Sequence, residues 1–253
     1  SNTVMAGLVR QAMALCDAPA EVLPEDVLRQ YEIFPAVRAY RAIHFPSSME
    51  EAELARKRMV FEEFFVFSAG LALMRASRAQ KKTAPYANLD LRPFYAALPF
   101  TLTGAQDRAI REIAADFGKG TPMNRLVQGD VGSGKTMVAA AAAYLAVQNG
   151  RQAALMAPTE ILAEQHYNSL SKLLTPLGVS VCLLTGSMTV KQKRETRQAI
   201  EENQVQLVIG THALLSESTV FGNLGLVIAD EQHRFGVGQR SALSAKGQDP
   251  HLL

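Results

Sequence analysis

The spacing of apolar and polar positions changes near Pro85, and each half of the chain predicts a different kind of structure. Residues 3–84 read as helical throughout, broken at Pro19, Pro24, Pro35 and Pro46. Ser47 or Ser48, ahead of Met49-Glu50-Glu51, offers an N-cap followed by carboxylates where the helix dipole favours them. A long helix over 49–80 follows, spanning roughly 45 Å at 1.5 Å per residue. Its middle, 59–74, carries Phe61, Phe64, Phe65, Phe67, Leu71 and Leu73 and is apolar nearly all round, which predicts burial on several sides. Arg56-Lys57-Arg58 and Arg75, Arg78, Lys81 and Lys82 flank that core. A solvated helix face is the favoured reading of these charges, with a nucleic-acid strap as the alternative.

From Pro85 onward, short apolar runs at 126–127, 153–157, 179–184, 205–209 and 224–229 alternate with helix candidates at 136–148, 160–174 and 189–202. A further helix is expected over 104–117, capped by Thr103. That alternation predicts an α/β fold, a parallel sheet with helices on both faces, preceded by an all-helical segment. Functional residues are then expected at the carboxyl ends of the strands.

Composition changes this picture little. Of 253 residues, 48% are hydrophobic and 20% charged, and a formal net charge of +2 points to no polyanion partner beyond a local patch. Cys16 and Cys182 lie too far apart for metal-ligand spacing and read as reduced, buried thiols of a cytosolic protein. The longest apolar run, 137–147, is too short to cross a bilayer, so no membrane association is expected.

Two stretches carry chemistry. Gly129-Asp130-Val131-Gly132-Ser133-Gly134-Lys135-Thr136 satisfies the phosphate-loop pattern G-x-x-x-x-G-K-[ST]. Glycines let successive N–H groups turn inward onto phosphate oxygens, and the helix that begins there adds its positive end. Lys135 would reach the β- and γ-phosphates, and the Thr136 hydroxyl would ligate Mg2+. The apolar 125–127 before the loop reads as the end of a strand. The second stretch is the apolar 226–229 ending in Asp230-Glu231-Gln232-His233. There Asp230 would hold the Mg2+ and Glu231 would orient and deprotonate the attacking water, since phosphoryl transfer depends on positioning and charge stabilisation. A bland reading, acidic residues capping the next helix, competes with this one.

Together these stretches resemble motifs I and II of the superfamily 2 helicases, the DExH group. The strings 127–136, Met156-Ala157-Pro158-Thr159-Glu160-Ile161-Leu162-Ala163-Glu164-Gln165-His166, Gly210-Thr211-His212-Ala213-Leu214 and 230–237 resemble the RecG family of bacterial ATP-dependent DNA helicases. The transcription-repair coupling factors share much of this string. Ala42-Ile43-His44-Phe45-Pro46 and 55–63 resemble the RecG segment that joins its DNA-binding wedge to the motor, which favours RecG.

The resemblance implies a RecA-like motor lobe over 85–253 behind a helical linker over 3–84. It implies ATP and Mg2+ as cofactors and a cytoplasmic, bacterial setting. Branched DNA (forks and Holliday junctions) would be the partner, remodelled by fork regression and branch migration, with single-strand-binding protein as a further partner and a monomeric state. Phe100 to Gln106 is similar to the adenine-recognising stretch, with Gln106 as reader because an amide both donates and accepts at a base edge. Pro158, Thr159, Thr211 and His212, with Gly186 of Thr185-Gly186-Ser187, would touch the backbone of the tracked strand. His233, Arg234, Gln239 and Arg240 would couple the nucleotide site to DNA or to the opposite lobe. The sequence ends where the Ser-Ala-Thr motif would follow, and neither the wedge nor the second lobe with its arginine finger is present. These residues alone are therefore expected to bind ATP–Mg2+ weakly, hydrolyse it very slowly and unwind nothing. A nucleotide-gated binding module, a coupling-factor-like translocase and an RNA helicase are the competing readings.

Overall fold

The structure, a computed structural model, describes residues 2–79, 81–231 and 234–253. The chain divides into two compact units, the first ending at Ser77 and the second beginning at Arg78.

The first unit is helical, with α1 (Asn2–Leu15), α2 (Glu25–Gln30), α3 (Ala36–His44) and the long α4 (Met49–Ala79); Gln80, the expected last residue of that helix, lies outside the described residues. Pro24 and Pro35 sit immediately before α2 and α3, where a missing N–H is no loss. Ser48 caps α4 by accepting from the Glu51 amide at 3.1 Å, while the Ser47 amide donates back to the Glu51 carboxylate at 2.8 Å. Ala36, Ala39 and Ala42 form the inward stripe of α3. Glu21 ties the unit together: its carboxylate accepts from the amides of Leu23 (3.0 Å) and Ala36 (2.7 Å) and pairs with Arg58 at 2.6 Å.

Three expectations are corrected here. Arg58 is not on a solvated face but completely buried, paired with both Glu21 and Glu62. The aromatic middle of α4 is covered on one side only. Phe61 meets the Tyr31 ring at 5.3 Å and the Phe65 ring at 6.3 Å, yet Phe64 and Phe67 remain 66% and 63% exposed. The covered positions, Ala55, Arg58, Phe61 and Phe65, step along the helix by three and four, so they share one face. Cys16 is exposed rather than buried, whereas burial pushes the Cys182 thiol up to about 12.

The second unit contains α5 (Arg92–Ala97), α6 (Gly104–Phe117), α7 (Lys135–Gln148), β1 (Gln152–Met156), α8 (Glu160–Leu174), β2 (Val181–Leu184), α9 (Val190–Glu201), β3 (Leu207–Gly210), β4 (Leu224–Ala229), α10 (Val237–Ser244) and β5 (His251–Leu252). The strands form a parallel sheet in the order β2-β3-β1-β4-β5. Side chains alternate between its faces, as the two-residue period requires. Ala153, Leu155, Leu207, Ile209, Leu226 and Ile228 face a core shared with α6, α7 and α8. Ala154, Met156, Val208 and Val227 face a second core with Ile200 of α9 and Leu243 of α10. Helices therefore cover both faces. The alanine run makes α7 thin enough to be buried on every side from Ala140 to Val147.

The strand expected at 125–127 is reduced to a single parallel bridge between Asn124 and Leu252. The Leu252 amide donates to Met123 O at 2.8 Å, and the Arg125 amide to Leu252 O at 3.0 Å. Leu253 gives both its amide and its carbonyl to β4. Buried His251 stacks near Tyr86 (4.9 Å) and Phe117 (4.5 Å), and its Nδ1 accepts from the Met123 amide at 2.9 Å. That contact fixes the segment leading into the phosphate loop. No helix among the described residues is long and apolar enough to cross a membrane.

Candidate nucleotide site

Register aligns Met156 with both Gly210 and Ala229, and Gly210 with Leu184, so four loops leave the sheet at the same edge. They carry Pro158-Thr159, Thr211-His212, Asp230-Glu231 and Thr185-Gly186. This is the carboxyl end, where open parallel sheets bind ligands.

The phosphate loop enters α7 through left-handed backbone at Gly132 (φ +80°) and Gly134 (φ +76°), conformations that a side chain would strain. A Cβ on Gly134 would also collide with the Gln106 amide nitrogen. Gly134 is the N-cap of α7 and offers no side-chain acceptor, so no side-chain cap competes with an anion for the first-turn amides. Lys135 Nζ folds back onto the carbonyls of Gly129 (2.8 Å) and Asp130 (2.9 Å). The Gln106 carbonyl accepts from the Thr103 amide at 2.9 Å in a capping box, and its NH2 donates to Ser133 O at 2.8 Å. The side chain is thus fastened to the loop with one N–H still uncommitted in these two bonds. Phe100 is exposed just ahead of α6.

Across the loop, Asp230 follows β4 and is tied to the end of β1 by its amide, which donates to Met156 O at 3.0 Å. Its carboxylate Oδ2 lies 2.7 Å from His166 Nε2. The carboxyl is held below its usual range chiefly by that hydrogen bond, which outweighs desolvation; the His166 charge, the Glu231 amide and the charge of Lys135 add to it. Glu231 adopts φ +52°, a left-handed conformation that costs a non-glycine residue on the order of 1 kcal/mol or more. Lys135, Thr136, His166, Asp230, Glu231 and Phe235 line one cavity of about 760 Å3.

This cavity fits a nucleotide with a divalent cation. It joins uncapped helix amides, an ammonium and a carboxylate kept ionised. Among the described residues no cluster of three or more His, Cys, Asp or Glu side chains could hold a metal unaided. A cation beside Asp230 and Thr136 would therefore draw most of its ligands from phosphate and water, as Mg2+ does in nucleotide sites.

The strand-contact candidates are brought partly together. Thr159 caps α8 by accepting from the Leu162 amide at 3.3 Å. The adjacent Glu160 carboxylate accepts from the Ser187 amide at 3.0 Å, and a Cβ on Gly186 would lie 2.8 Å from Glu160 and 3.8 Å from His212. Pro158, Thr159, Gly186 and His212 have surface exposure, but Thr211 is buried and presents no hydroxyl to solvent. Of the coupling candidates, Arg234 and Gln239 are exposed, His233 lies outside the described residues, and nothing is described of the Arg240 side chain.

His166 and Glu160 carry geometry that sequence reasoning did not assign. The signal for His166 was present: Ala163, His166, Leu170 and Leu174 step by three and four along α8, and the other three are buried. A polar residue on an inward stripe invites a partner.

A parallel sheet with a phosphate loop at its carboxyl edge and an acidic pair after a neighbouring strand defines a RecA-like P-loop nucleotide-binding lobe. The chain belongs to the DEAD/DEAH box helicase family, whose model matches residues 103–248. It is 45% identical to the ATP-dependent DNA helicase RecG of Synechocystis sp. over 99% of this chain and 31% of that protein. The RecG of Bacillus subtilis is also 45% identical, over 99% of this chain and 37% of that protein. The solved structure of RecG bound to a three-way DNA junction matches all of this chain and 34% of that one, with a TM-score of 0.82 and 38% identity. The chain spans about a third of the length of these relatives.

Proposed function

We propose that these residues form the helical linker (3–84) and first motor lobe (85–253) of an ATP-dependent DNA helicase that remodels branched DNA. The observation that carries this is the meeting of Lys135, Thr136, Asp230 and Glu231 around one cavity at the carboxyl edge of the sheet. Lys135 would release its loop carbonyls for the β- and γ-phosphates. Thr136 and Asp230 would hold Mg2+, which neutralises charge on the phosphates, and Glu231 would orient and deprotonate the attacking water. Gln106, bonded to Ser133 of the loop, would read the adenine, with exposed Phe100 ahead of α6 contributing to the same recognition. Thr159, Gly186 and His212 would meet strand phosphates without reading sequence. The likeness to RecG, one structure of which holds a three-way junction, supports branched DNA as the substrate.

Taken alone, the 253 residues are expected to bind ATP–Mg2+ weakly, hydrolyse it very slowly and unwind nothing. The test uses the longer protein that carries this chain and compares ATP turnover with forked DNA, single-stranded DNA and RNA. Strongest stimulation by forked DNA is expected; equal or greater stimulation by RNA would overturn the assignment.

A further inference from the structure

We propose that His166 is a positioning residue for Asp230, holding that carboxylate so that it can receive the cation; this rests on the ATP–Mg2+ reading above. His166 Nε2 lies 2.7 Å from Asp230 Oδ2, with both side chains largely covered at 14% and 30% exposure. The imidazole rides on a rigid support. α8 is capped by Thr159 and anchored through buried Ala163, Leu170 and Leu174, so the ring cannot drift without repacking the helix.

Asp230 needs such a fixture. It ends β4 and is followed by the left-handed Glu231, so little regular structure constrains its carboxylate. A carboxylate rotates freely about its last bond unless hydrogen bonds hold it. With Oδ2 bound to the ring and the Glu231 amide also donating to the carboxylate, the remaining lone pairs can serve a cation or its water. Without the imidazole, one of the hydrogen bonds that set the carboxylate's orientation is lost, and the cation must order the group as it binds. Outer partners of this kind commonly set metal affinity by 10- to 100-fold.

The test is equilibrium binding of a fluorescent ATP analogue to the 253-residue chain, first in EDTA and then over a Mg2+ titration. His166→Ala is expected to raise the Mg2+ midpoint by about tenfold while affinity in EDTA stays unchanged. His166→Gln, which keeps an N–H donor on a similar reach, is expected to fall between the two and guards against misfolding of the alanine variant. An unchanged Mg2+ midpoint, or an equal loss with and without Mg2+, would overturn the proposal and leave His166 a packing residue. Absence of any Mg2+-dependent gain in the unsubstituted chain would instead remove the nucleotide-site reading itself, and this proposal with it.

Discussion

The side-chain amide of Gln106 donates to the Ser133 carbonyl at 2.8 Å, fastening the start of α6 to the phosphate loop. A residue expected to read adenine is thus also a strut for the loop that holds phosphate. Gln106→Ala separates the two roles. Loss of the strut removes about 1 kcal/mol of hydrogen bonding, roughly fivefold in affinity, from ATP and GTP alike. Adenine reading adds a further loss for ATP only. Binding of both nucleotides by fluorescence anisotropy distinguishes them, and a drop in the ATP-to-GTP preference is expected.

Glu231→Gln is expected to leave nucleotide affinity intact and lower single-turnover hydrolysis by about 100-fold or more, because the amide cannot accept the water proton. Glu231→Gly would relieve the left-handed strain at φ +52°, yet be equally inactive. Hydrolysis that survives either substitution would leave the site a switch rather than a motor.

Arg58 is expected to hold the helical unit together. Removing one member of a buried ion pair leaves an uncompensated charge and costs about 3–5 kcal/mol, whereas an exposed pair costs under about 1 kcal/mol. Glu21 and Glu62 keep some contact with water, which places Arg58→Met nearer the lower bound. Hydrogen exchange of α3 and α4 in this variant, against Arg92→Met as the exposed control, measures the difference.

His251 sets a pH limit on the second unit. Burial pushes its pKa down from 6.5 to about 4, so the folded state keeps the ring neutral while the unfolded state protonates. Its contribution to stability is complete above pH 6.5 and is lost as pH falls toward 4, a change on the order of 3 kcal/mol. Urea midpoints between pH 7 and 4 should therefore fall less steeply in His251→Phe than in the parent chain.

Much of the lobe was legible because parallel strands buried on both faces leave short apolar runs, and their helices leave caps such as Thr103, Thr159 and Thr189. Glycine and charge at the phosphate loop and after β4 were legible for the same reason: few other residues permit that chemistry. What escaped depends on neighbours distant in sequence. Whether Arg58 is solvated is decided by Glu21, 37 residues away. Thr211 and His212 adjoin in sequence, yet one is buried and the other exposed. The value of His166 appears only once α8 packs on the sheet, because its partner Asp230 is 64 residues on.

The most direct measurement is a crystal structure of the chain with a non-hydrolysable ATP analogue and Mg2+. The β- and γ-phosphates should rest on the first turn of α7, with Lys135 Nζ moved off the Gly129 and Asp130 carbonyls and the cation beside Asp230. A nucleotide seated elsewhere, or Lys135 still bound to its own loop with nucleotide present, would contradict the account.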